Sequence, residues 1–126
     1  MDTATIDVQN LGPRGEEAAL RALKKAGYRI LERNYRCPLG EVDLIARDGN
    51  SLVFVEVKSG LIHGFPPRQR VDRRKKLKLS QLAHFFMREK GLEGVSARFD
   101  VVEVNFEDPS QEPKVAIIPN AFELED

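Results

Sequence analysis

A chain of 126 residues makes one domain with a sizeable core and leaves no room for two. Charged residues at 32% and apolar residues at 41% are ordinary for a soluble globular protein, and a formal net charge of zero means that bulk charge does not advertise a nucleic-acid partner. Cys37 is the only cysteine, which excludes an intrachain disulfide and a cysteine-rich zinc site; no stretch approaches membrane-spanning length, so the expected location is the cytoplasm, away from any membrane.

Residues 1–12 are polar and patternless, a loose leader ahead of a single domain over 13–122. Pro13 suits a first helical turn, Glu16, Ala19, Leu20 and Leu23 recur at helical spacing, and Gly27 supplies the stop. Glu16 lies on that inward face, and Glu17 one step round it toward solvent. Tyr28 to Arg33 reads as a short strand and Asn34 to Leu39 as a loop. Glu41 to Arg47 alternates as a strand does, and Asp48-Gly49 signals a hairpin turn. Leu52 to Lys58 is apolar on both faces, which predicts a central strand. Ser59 to Pro67 reads as a loop with Gly60, Gly64 and Pro66-Pro67. A long helix is predicted from about Asp72 to Lys90, ending at Gly91, with Leu79, Leu82, Ala83 and Phe86 as its main stripe. Arg98 to Glu107 and Lys114 to Ile118 complete the strands around a turn at Asp108-Pro109-Ser110, and 123–126 is an acidic tail. The order α-β-β-β-α-β-β predicts one mixed α/β sheet with helices packed on it.

The most informative residues interrupt two of these strands. Gly40-Glu41-Val42-Asp43 precedes the hairpin turn, and Val55-Glu56-Val57-Lys58 follows it. Ionised groups in a buried strand are costly unless paired or bound to a cation. Alternate side chains share a face, so Glu56 and Lys58 point one way and Glu41 and Asp43 point together. A hairpin loop of even length brings all four to one side; if Asp48 to Ser51 form it, Asp43 faces Glu56 directly, and if Asp48-Gly49 alone form it, Asp43 faces Phe54. Paired carboxylates suit a hard divalent cation such as Mg²⁺, and a lysine beside them could orient a water and counter developing negative charge. The competing reading is a cross-strand salt-bridge ladder.

The ordered set Gly15-Glu16, Gly40-Glu41-Val42-Asp43-Leu44-Ile45, Val55-Glu56-Val57-Lys58 and Arg98-Phe99-Asp100-Val101-Val102, with Asn120-Ala121-Phe122 near the end, resembles the YraN-like family of uncharacterised bacterial proteins. That family is similar to Holliday junction resolvases of the PD-(D/E)xK superfamily. The resemblance implies a restriction-endonuclease-like fold, a mixed central sheet flanked by helices, and phosphodiester hydrolysis with Mg²⁺ or Mn²⁺. It implies that Asp43 and Glu56 are metal carboxylates, that the Val57 carbonyl is a backbone ligand and that Lys58 positions or activates water. Glu16 would add a carboxylate near the metal, directly or through water, and Glu41 is a secondary candidate. Gly60 stands where relatives often carry arginine, a phosphate contact this chain lacks.

A basic run, Arg68, Arg70, Arg73, Arg74, Lys75, Lys76 and Lys78, meets only Asp72 in between. Arg73, Arg74, Lys75 and Lys78 are the expected contacts to a nucleic acid, DNA by the resemblance, with a solvated helix face as the plain alternative. Lys75 lies one turn before Leu79 on the inward stripe. A second row, Leu77, Gln81 and Phe85, would pack under a loop or against another copy in a homodimer. His63 and His84 read as surface or packing residues. The functional expectation is a metal-dependent endonuclease, with a non-catalytic nucleic-acid-binding module that keeps the nuclease fold as the alternative.

Overall fold

A computed structural model describes residues 11–61, 73–122 and 124. The described residues form helix α1 (Leu11–Lys25), strands β1 (Arg29–Cys37), β2 (Gly40–Asp48) and β3 (Ser51–Leu61), helix α2 (Arg73–Glu89), and strands β4 (Ala97–Phe106) and β5 (Lys114–Phe122). The strands lie in one sheet in the order β1-β2-β3-β4-β5. Every neighbouring pair is antiparallel except β3 and β4. Parallel neighbours need a crossover, and α2 provides it. This is the predicted order, a mixed α/β sheet between two helices.

Alternation along the central strands sends side chains to two helices. Leu44, Val53, Val55, Val102 and Val104 meet Ala19, Leu20 and Leu23 of α1. Ile45, Leu52, Phe54 and Phe99 meet Leu79, Leu82, Ala83 and Phe86 of α2. Both sheet faces are therefore covered, which is why β3 reads as a continuous apolar run. Phe54 is fully buried and meets Phe86 edge-on, with centroids 5.9 Å apart. Burial of each such side chain contributes about 1.5–3 kcal/mol.

α1 approaches β3 closely at Gly15, where a Cβ would lie 1.8 Å from Ser59 Oγ and 2.8 Å from Ser59 Cβ. The glycine lets the helix sit down on the strand and so places the next residue, Glu16, beside the sheet. Gly15→Ala is expected to destabilise the protein by about 1–3 kcal/mol, the usual cost of overpacking. Urea denaturation checks this, and a loss below about 0.5 kcal/mol would show that α1 shifts freely.

Several predicted boundaries move. Leu11 and Gly12, assigned to the leader, are helical, and Leu11 is a core residue; residues 1–10 lie outside the described part. β1 does not end at Arg33. A bulge between Ile30 and Glu32 keeps it paired, and it runs through Asn34 at φ 51° to Cys37, opposite Gly40. Pro38 then begins the turn instead of a loop, a position its fixed φ suits. Ser59 to Leu61 are strand, in register with Val104 to Phe106 of β4. The rest of the expected Gly/Pro loop, with His63, lies outside the described residues, as do Arg68 and Arg70 of the basic run. β5 passes Ile118 and Pro119 and ends at Phe122 through an irregular register. Of the acidic tail only Leu124 is described, and it packs against the α2-side core.

Candidate metal centre

The hairpin between β2 and β3 turns at Gly49-Asn50, with Asp48 opposite Ser51. The register continues to Leu44 opposite Val55. One step further would set Asp43 against Glu56, the arrangement expected of a loop from Asp48 to Ser51. There the strands part. Val57 N–H donates to Asp43 Oδ2 at 2.7 Å, so a side chain takes the place of the next backbone partner. In a strand the N–H and C=O of one residue project to the same side, so the Val57 carbonyl faces this opening as well.

The opening joins the two faces of the sheet. Val42 packs on the α2 side with Ile45, whereas Leu44 packs on the α1 side, so strict alternation breaks at Asp43. Its carboxylate is felt from both sides, by Glu16 of α1 and by Lys75 of α2. Lys75 Nζ lies 3.2 Å from Glu56 Oε2. The Glu56 side chain is 11% exposed and that of Lys75 is 42% exposed.

Electrostatics follow from this enclosure. Burial raises Asp43 above the ordinary carboxylate range, against the Val57 N–H and the Lys75 and Lys58 charges. Burial and then the Asp43 charge raise Glu56, against Lys75 and Lys58. Burial and then Asp43 also raise Glu16. Burial and then the adjoining Lys75 amine hold Lys58 below the usual lysine range, although Glu56 and Asp43 oppose this. Burial disfavours charge on Lys75, but Glu56 outweighs it and raises that ammonium. Two enclosed carboxylates held high want more positive charge than they have. Their oxygens, with a strand carbonyl, form a hard donor set that fits Mg²⁺ or Mn²⁺ completed by waters. Among the described residues no three His, Cys, Asp or Glu side chains form a ligand set. The acids offered to a cation are thus Asp43 and Glu56, with Glu16 outside any direct triad.

Glu41 does not join them. Past Leu44, β2 stays with β1 and leaves β3, and Glu41 pairs at the surface with Arg36 at 3.1 Å. Lys75 points inward, as its place before Leu79 predicted. Arg73, Arg74 and Lys78 are exposed around it. Lys76 lies over the Phe122 ring at 5.7 Å. Leu77 and Gln81 face solvent, while Phe85, His84 and Cys37 are half-buried.

Two features escaped the sequence reading. Glu103 is buried, with 5% exposure, and lies in parallel register with Lys58. No local pattern marks it, and only the strand pairing reveals it. The second is an ion network at the start of β4. Asp100, 1% exposed, accepts from Tyr28 Oη at 2.7 Å, Arg98 Nε at 3.0 Å and the Asn120 N–H at 2.9 Å. Arg98 also donates to Asp48 Oδ2 at 2.8 Å. The Asp100 hydrogen bond raises Arg98 above its ordinary range, and burial with Asp100 pushes Tyr28 up to about 12.

No helix among the described residues is long and apolar enough to cross a membrane. Among solved structures, Pyrococcus furiosus SfsA in complex with Ca²⁺ aligns over 85% of this chain and 59% of that one. Its TM-score of 0.37 at 17% identity is too low for fold or function to be read from it. Sequence relatives are much nearer. A UPF0102 protein of Moorella thermoacetica is 44% identical over 94% of this chain and 99% of its own length. One from Syntrophus aciditrophicus is 44% identical over 92% of each chain. The pattern of Uncharacterised protein family UPF0102 matches residues 15–104, which take in Glu16, Asp43, Glu56, Lys58 and Lys75. The chain belongs to the UPF0102 family, the YraN-like proteins.

Proposed function

We propose that this protein is a divalent-metal-dependent, endonuclease-like phosphodiesterase acting on nucleic acid, with branched DNA as the substrate that the family resemblance favours. The observation that carries the reading is the pair Asp43 and Glu56, meeting where β2 and β3 part, with Lys58 on the same strand two residues on. Asp43, Glu56 and the Val57 carbonyl would hold Mg²⁺ or Mn²⁺. When bound, the cation supplies Lewis-acid stabilisation of a phosphodiester and acidifies water.

The chain's own residues do the rest. β3 fixes Glu56 and Lys58 on one face. Lys58, held below the usual lysine range by burial and the adjoining Lys75 amine, releases a proton at Nζ more readily than a free lysine, which suits it to orient the attacking water. The exposed Arg73, Arg74 and Lys78 on the first turns of α2 would meet the phosphate backbone.

The test is turnover. Purified protein is incubated with linear, flapped and four-way DNA and with RNA, in Mg²⁺ and in Mn²⁺. Cleavage of at least one substrate is expected, and Lys58→Met should slow it about 10²–10³-fold while Mn²⁺ still binds. An uncut panel, with binding retained, would instead support a non-catalytic nucleic-acid-binding module. Gly60, in the place of a phosphate-binding arginine, is what favours that second reading.

A further inference from the structure

We propose that Lys75 is a built-in competitor of the divalent cation: it holds Glu56 in the metal-free protein and gives it up when metal and a phosphodiester arrive. This rests on the metal reading above and adds to it a role for an α2 side chain.

Lys75 and an incoming cation would contend for the same oxygen in an enclosed site. Lys75 Nζ lies 3.2 Å from Glu56 Oε2, where a metal held by Glu56 would stand. A doubly charged cation entering there sets like charges side by side where uncompensated charge is costly. Withdrawal of the Lys75 ammonium removes that repulsion and frees the carboxylate oxygen. An arriving phosphodiester then offers the displaced ammonium a new anionic partner.

Geometry selects which lysine leaves. Lys58 is anchored in β3, in register with Glu103 of β4. Lys75 reaches in from the first turn of α2, and its side chain is 42% exposed against 11% for Glu56. A rotation about its four-carbon stem carries the ammonium to solvent or to a substrate phosphate. The turn itself need not move. Lys76 remains over the Phe122 ring, and Leu79 remains in the core.

Mn²⁺ affinity of the full chain, read from the resonance of free Mn²⁺ without substrate, tests this. Lys75→Gln should bind Mn²⁺ about tenfold more tightly than wild type, because a like charge has been removed from beside the ligands. Lys75→Arg should stay near wild type. Equal or weaker binding by Lys75→Gln, with binding by wild type still lost in Asp43→Asn, would overturn the competition and leave the metal centre standing. Absence of Mn²⁺ binding in both wild type and Lys75→Gln would overturn both. Wild-type protein gives a second readout that needs no variant to fold. Acetylation of Lys75 by an amine-reactive ester, followed by mass spectrometry, should quicken several-fold on adding Mg²⁺, and an unchanged rate counts against release.

Discussion

Asp43→Asn is expected to abolish Mn²⁺ binding and to cut metal-dependent cleavage about 10³-fold or more, a barrier increase of roughly 4 kcal/mol. The same change should raise the melting temperature of the metal-free protein at neutral pH. Asparagine keeps an oxygen to accept the Val57 N–H, now made at 2.7 Å. What it removes is a carboxylate whose charged form burial disfavours, with Glu41 and Glu16 nearby and Lys58 and Lys75 only partly compensating. The sign follows from linkage. A carboxyl raised in the folded state stabilises below its unfolded value near 3.9, and that contribution is lost as pH climbs through the folded value. The advantage of the variant should therefore be present at pH 7 and vanish as pH falls toward about 4. Each kcal/mol gained corresponds to roughly 3–6 °C in a chain of this size. Wild type should gain stability on adding Mn²⁺, and the variant should not. A variant that melts lower than wild type, or that keeps Mn²⁺ affinity, would refute the assignment of Asp43.

The largest loss of stability is expected from Asp100→Ala. Four donor contacts end on that carboxylate, from Tyr28 Oη, both Arg98 Nε and Nη2, and the Asn120 N–H. Truncation leaves the Arg98 guanidinium with Asp48 as its remaining acid and strips the Asn120 amide of its acceptor. Removing one member of a buried ion pair costs about 3–5 kcal/mol, and this pair also serves as a junction of three strands and a tyrosine. Urea unfolding should show a lower midpoint by that measure, and Asp100→Asn should lose less. Asp100 stands in register with Val55, two residues along β3 from Val57, but its partners are Tyr28, Arg98 and Asn120 and none of the metal-site acids, so Mn²⁺ affinity of the folded fraction should be unchanged. A loss below 1 kcal/mol would mean that water replaces the carboxylate without strain.

Much of this arrangement was readable from spacing. An even hairpin was expected, and the register runs to Leu44 opposite Val55, one step short of Asp43 and Glu56; the one-turn step from Lys75 to Leu79 pointed the lysine inward, and the α2 stripe Leu79, Leu82, Ala83 and Phe86 is buried as expected. The parity argument still assumed an undistorted strand. It therefore gathered Glu41 with Asp43, and the break in alternation between Val42 and Leu44 separates them. Strand ends were misjudged for a related reason. Gly60 and Pro119 are local punctuation, but each is overruled by distant partners: β4 for Gly60, and the Asp100 carboxylate for the irregular register that carries β5 past Pro119. Periodicity carries no trace of pairings across tens of residues, which is also why Glu103 and the Tyr28–Arg98–Asp100 network stayed out of sight.

The parting of β2 and β3 leaves an internal seam where a foreign strand could dock and seed aggregates, because an unsatisfied ladder position invites a new partner. Asp43 closes the seam with a charged acceptor on the Val57 amide. The residue proposed as a metal ligand would thereby also guard solubility. Alanine at this position removes charge and acceptor together, so that variant should precipitate more readily than the asparagine form.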